Sequence, residues 1–179
     1  TDINNRLAIY YERKVDIASR AVKLIRDGDV VMIESGSCCT LLAERIKLER
    51  KNVTIITYSV FIANHIRPAA SNNVILLGGS LLMEPMVTVG PVTIDAVSGF
   101  YVDKFFTGTD GITPDGKFTG KAIVLTDSSK FLRQGTVSLF SADDVYAVYT
   151  DALCPKSVKE LLEERNVIVN TGEHEVEKR

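Results

Sequence analysis

The sequence contains few of the residues that build disulfide frameworks and metal sites. Its 179 residues include 3 Cys, 2 His and no Trp. Cys38 and Cys39 are adjacent while Cys154 stands alone, a pattern that argues against a disulfide scaffold and is typical of a reducing compartment. Neither His65 nor His174 has a second candidate ligand near it in sequence. We therefore expect a cytoplasmic protein without a metal and without a cofactor.

An excess of positive charge and long apolar runs are also missing. The formal net charge is -2, whereas DNA-binding domains usually carry a basic patch. If the protein regulates DNA, the part that contacts DNA therefore lies elsewhere. No apolar run is long enough to span a membrane, and the polar start of the sequence, which lacks Met, does not resemble a signal peptide. We expect no membrane partner and interpret the sequence as a fragment.

Short apolar, β-branched runs alternate with segments of helical spacing. Hydrophobic residues make up 45% and charged residues 25% of the sequence, which suits one globular domain with a full core. The apolar runs lack polar alternation, as expected of strands buried on both faces of a parallel sheet. We therefore predict an α/β fold, an open and mostly parallel sheet with helices on both faces. The predicted strands lie at residues 30–33, 53–57, 74–77, 105–106, 123–126, 145–149 and 167–169, and the predicted helices at 12–26, 41–46, 60–66 and 156–165.

One connection does not fit this alternation. Gly120 and Lys121 run directly into the predicted strand that starts at Ala122, although a parallel sheet needs a crossover of about a dozen residues or more there. Either this strand is reached differently, or a segment is absent from the sequence. We favour an absent segment.

The residues that follow the first predicted strand have the composition of a phosphate cradle. Ligands of open α/β sheets lie at the carboxyl ends of the strands. Small residues let the backbone approach an anion, and free N–H groups at a helix N-terminus favour negative charge. The alternative is a Ser N-cap on an ordinary helix, which needs one hydroxyl. The candidate phosphate-binding residues are Ser35, Gly36, Ser37, Cys38, Cys39 and Thr40.

Other predicted strand ends also carry small, hydroxyl or charged residues. Lys130 follows two serines and can neutralise a phosphate as a point charge, and Asp110 can accept hydrogen bonds from sugar hydroxyls. The alternative is that turns are rich in Gly, Ser and Asp for conformational reasons. We assign no catalytic residue. The further candidate ligand-binding residues are Thr57, Ser59, Gly78, Gly79, Asp110, Lys121 and Lys130.

The adjacent Cys38 and Cys39 allow two interpretations. A thiol near a helix N-terminus can have a depressed pKa and become reactive, but a Cys in such a place is more often a small buried filler. Because neither a partner base nor a resolving Cys is indicated, we favour the filler.

An ordered set of short motifs resembles the C-terminal effector domain of DeoR-family transcriptional repressors. Each motif is modest, but the ordered set is specific and covers nearly the whole chain. The motifs are Lys14-Val15-Asp16-Ile17-Ala18, Asp27-Gly28-Asp29, Glu34-Ser35-Gly36-Ser37, Val53-Thr54-Ile55-Ile56-Thr57, Leu76-Leu77-Gly78-Gly79, Val89-Gly90-Pro91, Gly108-Thr109-Asp110-Gly111, Phe118-Thr119-Gly120-Lys121 and Leu125-Thr126-Asp127-Ser128-Ser129-Lys130-Phe131.

The resemblance implies a fold similar to ribose-5-phosphate isomerase and glucosamine-6-phosphate deaminase. It implies a role in transcription regulation and carbohydrate metabolism, in which a phosphorylated sugar is sensed and operator DNA is released. A winged helix-turn-helix domain, absent from this sequence, normally precedes the sensor. Residues 1–13 would then end the interdomain linker, residues 14–170 form the sensor domain and residues 171–179 form a charged tail. The family further implies a homodimer or homotetramer, and a helical segment between Lys121 and the next strand.

We favour a sensor that is not an enzyme over an active sugar-phosphate isomerase or deaminase. That chemistry needs a general base within reach of a carbon-bound proton, for which Asp110 and Asp127 are the candidates, with no His near them. The carboxylate-rich loop of the isomerase looks reduced here to residues 107–111. A weaker alternative is an oligomerisation scaffold with a vestigial pocket.

Three positions near the predicted pocket depart from the family pattern. Glu34 stands where Asp is more frequent, Cys38 and Cys39 replace small residues or Thr, and Tyr58 stands where Asn is common. The identity of the ligand is therefore not fixed by the resemblance.

Overall fold

A computed structural model describes residues 3–67, 71–108, 122–131 and 142–172. Its helices are α1 (Ile3–Ala8), α2 (Tyr11–Ala21), α3 (Ser37–Glu49), α4 (Val60–Ile66), α5 (Pro91–Ser98) and α6 (Lys156–Glu164). Its strands are β1 (Val30–Ile33), β2 (Thr54–Thr57), β3 (Asn73–Leu76), β4 (Ser80–Leu82), β5 (Val87–Val89), β6 (Lys104–Thr107), β7 (Ala122–Leu125), β8 (Val145–Tyr149) and β9 (Ile168–Asn170). Short 3-10 helices lie at Val22–Leu24, Ser128–Lys130 and Ala142–Asp144.

Seven of the described strands form one sheet in the order β3-β2-β1-β6-β7-β8-β9. Each pairing in this sheet is parallel. Strand β1 has neighbours on both sides, because Met32 pairs with Ile56 of β2 and with Phe105 of β6. Strands β4 and β5 form a separate antiparallel hairpin. The predicted open, mostly parallel sheet is confirmed.

Different helices cover the two faces of the sheet. Along β7, Ile123 and Leu125 belong to the larger core, while Val124 between them belongs to a smaller core. Because successive side chains of a strand point to opposite faces, the two cores lie on opposite sides of the sheet. Helix α3 supplies Leu42 to the larger core, and α6 supplies Leu162 to the smaller one. Helices on both faces are therefore confirmed.

The opening helix is shorter than its apolar spacing predicts. A helix over residues 12–26 is expected, but α2 ends at Ala21, and after a 3-10 turn Ile25 is extended with φ -96° and ψ 132°. The Asp29 carboxylate accepts the Arg26 N–H at 2.8 Å, which stabilises a turn in place of the last helical residues.

Arg50, which follows α3, donates hydrogen bonds to carbonyls at the end of this opening segment. Its Nε donates to the Ile25 carbonyl at 2.6 Å, and a terminal guanidinium nitrogen donates to the Val22 carbonyl at 3.0 Å. The Val22 carbonyl also accepts the Ile25 N–H at 3.0 Å, and Arg50 adds a side-chain donor both to it and to the Ile25 carbonyl beyond the 3-10 turn. Arg50 thereby fixes the approach of the chain to β1.

The crossover between β6 and β7 falls largely outside the described residues. The two strands pair in parallel, with Phe106 opposite Ile123. Residues 109–121, which include Lys121, are not among those described. The unusual junction at Lys121 therefore stays a prediction from the sequence.

Replacing Arg50 is expected to destabilise the fold without disturbing the predicted site. Arg50→Ala removes three charged hydrogen bonds, to the carbonyls of Val22, Ile25 and Glu49, so the free energy of unfolding should fall by about 2 kcal/mol. Chemical denaturation measures this value. Arg45→Ala is the matched control, because Arg45 makes an exposed i,i+4 pair with Glu49 at 3.4 Å and its loss should cost less than about 0.5 kcal/mol. Equal losses for the two variants would contradict the role given to Arg50.

Candidate functional site

The point where the sheet reverses its direction of winding lies between β1 and β6. From β1 the chain proceeds to β2 and β3 on one side, and returns to β6 on the other. Connections leave the two neighbouring strands in opposite directions there, which opens a crevice at their carboxyl ends. Glu34 follows β1 and Gly108 follows β6, so the residues after these two strands form the candidate site.

Helix α3 begins at this crevice with a glycine as its N-cap. Gly36 is extended (φ 166°, ψ 160°) and has no side chain that could accept hydrogen bonds from the amides of the first turn. By contrast, Ser59 caps α4 by accepting the Ile62 N–H at 3.1 Å. The alternative of a Ser N-cap for α3 is therefore wrong. The first-turn amides, beginning at Ser37, lack a cap from their own N-cap residue, and the positive end of α3 faces the crevice.

The side chains of Cys38, Cys39 and Thr40 are buried, so these residues can offer a ligand their backbone groups. Cys38 is 6% exposed and Cys39 is fully buried, and both lie in the larger core. Burial raises the pKa of Cys38 to about 12 and raises the pKa of Cys39 well above its ordinary value. The filler interpretation of these cysteines is confirmed. The Thr40 hydroxyl is buried and donates to the Gly36 carbonyl at 2.8 Å.

A buried lysine that the sequence analysis missed lies next to this helix end. Lys14 of α2 is only 4% exposed, and its Nζ donates to the Arg6 carbonyl. Burial lowers its pKa. Lys14 occupies the same face of α2 as the buried Ala18, one helical turn later. A lysine at an apolar position of an amphipathic helix was the feature that could have identified it.

Lys130, which follows β7, is a second lysine whose charge acts on the first turn of α3. Although burial dominates and raises the pKa of Cys38, both Lys14 and Lys130 lower it by their positive charge. Both lysines therefore act electrostatically on the first turn of α3. Lys130 is half-buried at the end of the 3-10 turn Ser128–Lys130.

Two buried carboxylates hold the turn that carries Lys130. Asp127 accepts the Ser129 N–H at 3.1 Å and also the Ser129 hydroxyl. Asp151, which follows β8, accepts the Ser128 N–H at 2.8 Å and the Leu153 N–H at 3.0 Å. Both carboxylates lie near Cys38 and raise its pKa. Their hydrogen bonds to backbone amides make them structural supports of the site.

Glu34 occupies the crevice itself. Its Oε2 accepts the Gly108 N–H at 2.8 Å, and its Oε1 accepts the Tyr58 hydroxyl at 3.1 Å. The Thr107 hydroxyl lies 3.4 Å from Oε2. Burial and the neighbouring Glu34 raise the pKa of Tyr58, so Tyr58 remains a neutral donor. Glu34 and Tyr58, which the sequence analysis marked only as departures from the family, are thus a hydrogen-bonded pair.

Four further predicted residues, Thr57, Ser59, Gly78 and Gly79, lie after β2 and between β3 and the β4–β5 hairpin. The buried Thr57 hydroxyl accepts the Ser59 N–H at 3.1 Å. The Gly78 carbonyl accepts the Thr93 hydroxyl at 2.6 Å. Gly79 has φ +145°, and a Cβ there would lie 2.1 Å from Thr93 Oγ1, so this position requires glycine.

Two predicted site residues, Asp110 and Lys121, lie outside the described residues. Within the described ranges, no group of three or more His, Cys, Asp or Glu side chains is arranged to hold a metal ion. In the same part of the chain, no helix combines the length and apolar character needed to cross a bilayer.

Comparison with solved structures identifies proteins of similar fold. The eIF2B beta subunit from Chaetomium thermophilum superposes with a TM-score of 0.58 at 16% identity, over 87% of this chain and 54% of that chain. This chain therefore spans about half the length of that protein, and the likeness shows the fold alone. A ribose 5-phosphate isomerase from Methanocaldococcus jannaschii matches 66% of this chain and 53% of that chain at 21% identity, with a TM-score of only 0.44.

Sequence comparison identifies transcriptional regulators. The glycerol-3-phosphate regulon repressor of Escherichia coli (strain K12) is 30% identical over 184 residues, covering 93% of this chain and 73% of the repressor. The HTH-type transcriptional regulator UlaR of Salmonella newport (strain SL254) is 27% identical over 186 residues, covering 94% of this chain and 72% of the regulator. Both aligned spans exceed the 179 residues of this chain, so these relatives have residues that it lacks.

The family expected from the ordered motifs is confirmed by its own sequence model. The model of the DeoR C-terminal sensor domain matches residues 9–122, which include α2, α3, β1, β6 and the crevice between those two strands. Together with the two regulators, this match shows that the chain belongs to the DeoR C-terminal sensor domain family.

Proposed function

We propose that this sensor domain binds a small phosphomonoester at the start of α3. The observation that carries the proposal is the glycine N-cap of α3, whose first turn is acted on by the charges of the buried Lys14 and the half-buried Lys130. The backbone amides of residues 36–38 would donate to the phosphate, and the hydroxyls of Ser35 and Ser37 would add further donors.

The energetics require several of these groups to act together. One favourable charge at a helix end contributes about 0.3–1 kcal/mol, which is too little to hold a metabolite. Lysine adds a compact positive charge with three donors, of which Lys14 uses one on the Arg6 carbonyl. Salt screens partly buried charges less than exposed ones, so both lysines remain effective at physiological ionic strength.

The rest of the effector would lie toward the neighbouring strand ends. Thr57, Ser59, Gly78 and Gly79 would shape the wall formed by β2 and the hairpin. Asp110 and Lys121 stay candidates for contact with the sugar hydroxyls and the phosphate. Glycerol 3-phosphate is the first effector to test, because a repressor of a glycerol-3-phosphate regulon is 30% identical to this chain.

DNA control would come from a helix-turn-helix domain preceding the sensor. The formal net charge of -2 gives this chain no excess of positive charge for DNA, and a relative is named as an HTH-type regulator. Residues 1–13 would then be the end of a linker, residues 14–170 the sensor and residues 171–179 a charged tail. We further propose a cytoplasmic homodimer or homotetramer whose arrangement shifts on ligand binding, which requires different ligand affinities in the two arrangements.

The hydrogen bonding of the Asp127 carboxylate supports a domain that binds a ligand without converting it. An isomerase or deaminase needs a general base free to take a carbon-bound proton. Asp127 is 4% exposed and engaged by the Ser129 amide and hydroxyl. We therefore propose that this chain is not an enzyme.

The lysine assignment predicts a loss of affinity for phosphorylated ligands. Lys14→Met and Lys130→Met keep much of the apolar stem and remove the charge, so each should weaken glycerol 3-phosphate binding about tenfold or more. Isothermal titration calorimetry measures the dissociation constants. Lys156→Met is the matched control, because the Lys156 side chain is 88% exposed on α6. Wild-type affinity in both site variants would contradict the placement of the phosphate at the start of α3.

Placing a negative charge at the start of α3 should have a larger effect. Ser37→Glu puts a carboxylate where the phosphate would lie, so thermal stabilisation by glycerol 3-phosphate should vanish while the unliganded protein still melts cooperatively. Stabilisation retained in this variant would count against the phosphate site.

Absence of catalysis is tested by turnover. Incubation of the protein with pentose and hexosamine phosphates should give no isomerised or deaminated product above the protein-free rate. Product formation that Asp127→Asn abolishes would establish an enzyme instead.

A further inference from the structure

We infer that a second copy of this chain covers the β4–β5 hairpin and pairs its own β4 with the β4 described above. The two strands run antiparallel about a two-fold axis at Leu81. This interface rests on the homodimer proposed above and is independent of the phosphate site.

Strand β4 is uncovered on both faces of the hairpin. Leu81 and Leu82 are 50% and 46% exposed, and successive side chains of a strand point to opposite faces. Its partner β5 is covered, since Val87 and Thr88 are buried. Strand β4 therefore forms the outer margin of the hairpin, with an apolar side chain exposed on each face.

The backbone of β4 also has an open edge. Leu81 pairs with Thr88 of β5, but the Thr88 N–H donates to the Tyr58 carbonyl at 2.9 Å, away from β4. In an antiparallel ladder this makes Leu81 and Thr88 a non-hydrogen-bonded pair, so the N–H and C=O of Leu81 point to the other edge of β4. No strand of the described ranges pairs with that edge. Exposed edges are usually protected by charged residues or Pro, and Ser80–Leu82 contains neither.

A second copy supplies the groups that this edge needs. In a hydrogen-bonded antiparallel pair, each residue donates its N–H to the carbonyl of the residue opposite. When Leu81 lies opposite Leu81 of the second copy, the two bonds are equivalent, and the hairpins join into a four-stranded sheet. Such an isologous contact closes as a dimer, because each copy uses the same surface.

The chain around the hairpin has the composition and the extent of an interface. Residues 76–102 contain two charged residues, Glu84 and Asp95, and the cores of protein interfaces are depleted of charge. Four of these 27 residues are buried, and the other 23 have exposed surface. A stable interface takes about 20–30 residues from each partner, so this segment is large enough to supply most of one.

Helix α5 extends the exposed apolar surface beside the hairpin. The Thr93 hydroxyl donates to the Gly78 carbonyl at 2.6 Å, and a Cβ on Gly78 would lie 4.0 Å from Val92 Cγ1. These contacts place the first turn of α5 next to the start of β4. Thr93 is the one buried residue of α5, whereas Val92 and Ile94 are 64% and 70% exposed. A helix that is apolar on all sides is normally buried, and a second copy would supply the missing cover.

Hydrogen bonds hold the hairpin in place before association. The Thr88 hydroxyl donates to the Leu77 carbonyl at 2.7 Å, in addition to the bond from the Thr88 N–H to Tyr58. Association costs less when the binding surface is already ordered. Thr88 thus presents the open edge of β4 in a fixed orientation.

A charge at the axis should weaken association of the chain. Leu81→Arg places a hydrated charge at the centre of the interface, so the concentration at which the assembly dissociates should rise at least tenfold in sedimentation velocity. Leu48→Arg is the matched control, because Leu48 is 74% exposed on α3, outside the hairpin and α5, and this variant should associate like wild type. Thermal unfolding checks that both variants are folded.

A cysteine at the axis tests the pairing itself. Opposite residues of a hydrogen-bonded antiparallel pair have Cα atoms about 5.5 Å apart, a separation that a disulfide spans. Under oxidised glutathione, Leu81→Cys should therefore form a disulfide-linked dimer on a non-reducing gel. Leu48→Cys and the wild-type chain, with its native cysteines, should stay unlinked.

The possible failures are distinguishable. A wild-type chain that sediments as a monomer throughout the concentration range would overturn the homodimer and this interface together. An assembly that Leu81→Arg leaves as stable as wild type, or in which Leu81→Cys forms no link, would overturn the interface while the homodimer stands. Failure to bind glycerol 3-phosphate would count against the phosphate site alone.

Discussion

The parallel pairing of β1 with β6 is the constraint on which the site depends. It brings Glu34 within 2.8 Å of the Gly108 amide, although the two residues are 74 positions apart in sequence. The same pairing opens the sheet at the start of α3, since the connections leave the two strands on opposite sides. The crevice therefore follows from the order of the strands, and local sequence only decides which groups line it.

The fold was largely predictable because its strands are short and apolar on both faces. Runs such as residues 30–33 and 145–149 are typical of the interior of a parallel sheet, and both form strands there. The end of the opening helix was not predictable from spacing, because Asp29 and Arg50 stabilise a turn with hydrogen bonds that a periodic pattern does not contain.

The proposed phosphate cradle could be predicted from small residues after a strand, but the charged residues proposed to assist it were harder to predict. Lys14 belongs to a helix that the pattern assigns to the core, and only the tertiary structure lets its charge act on the pKa of Cys38. Glu34 and Tyr58 were visible only as departures from a family pattern. Their hydrogen bond joins residues that follow two different strands, so it depends on sheet order. Sequence thus predicts the position of a candidate site better than it predicts the chemistry of its ligand.

The hydrogen bond from Lys14 to the Arg6 carbonyl connects the first described helix to a residue of the proposed site. A ligand that draws this ammonium toward α3 competes with a backbone carbonyl of α1 for the same proton donor. Thermodynamic linkage is reciprocal, so a displacement of α1 would change ligand affinity by the factor with which the ligand changes the placement of α1. A force that displaces that short helix would then change the fraction of molecules with ligand in the crevice.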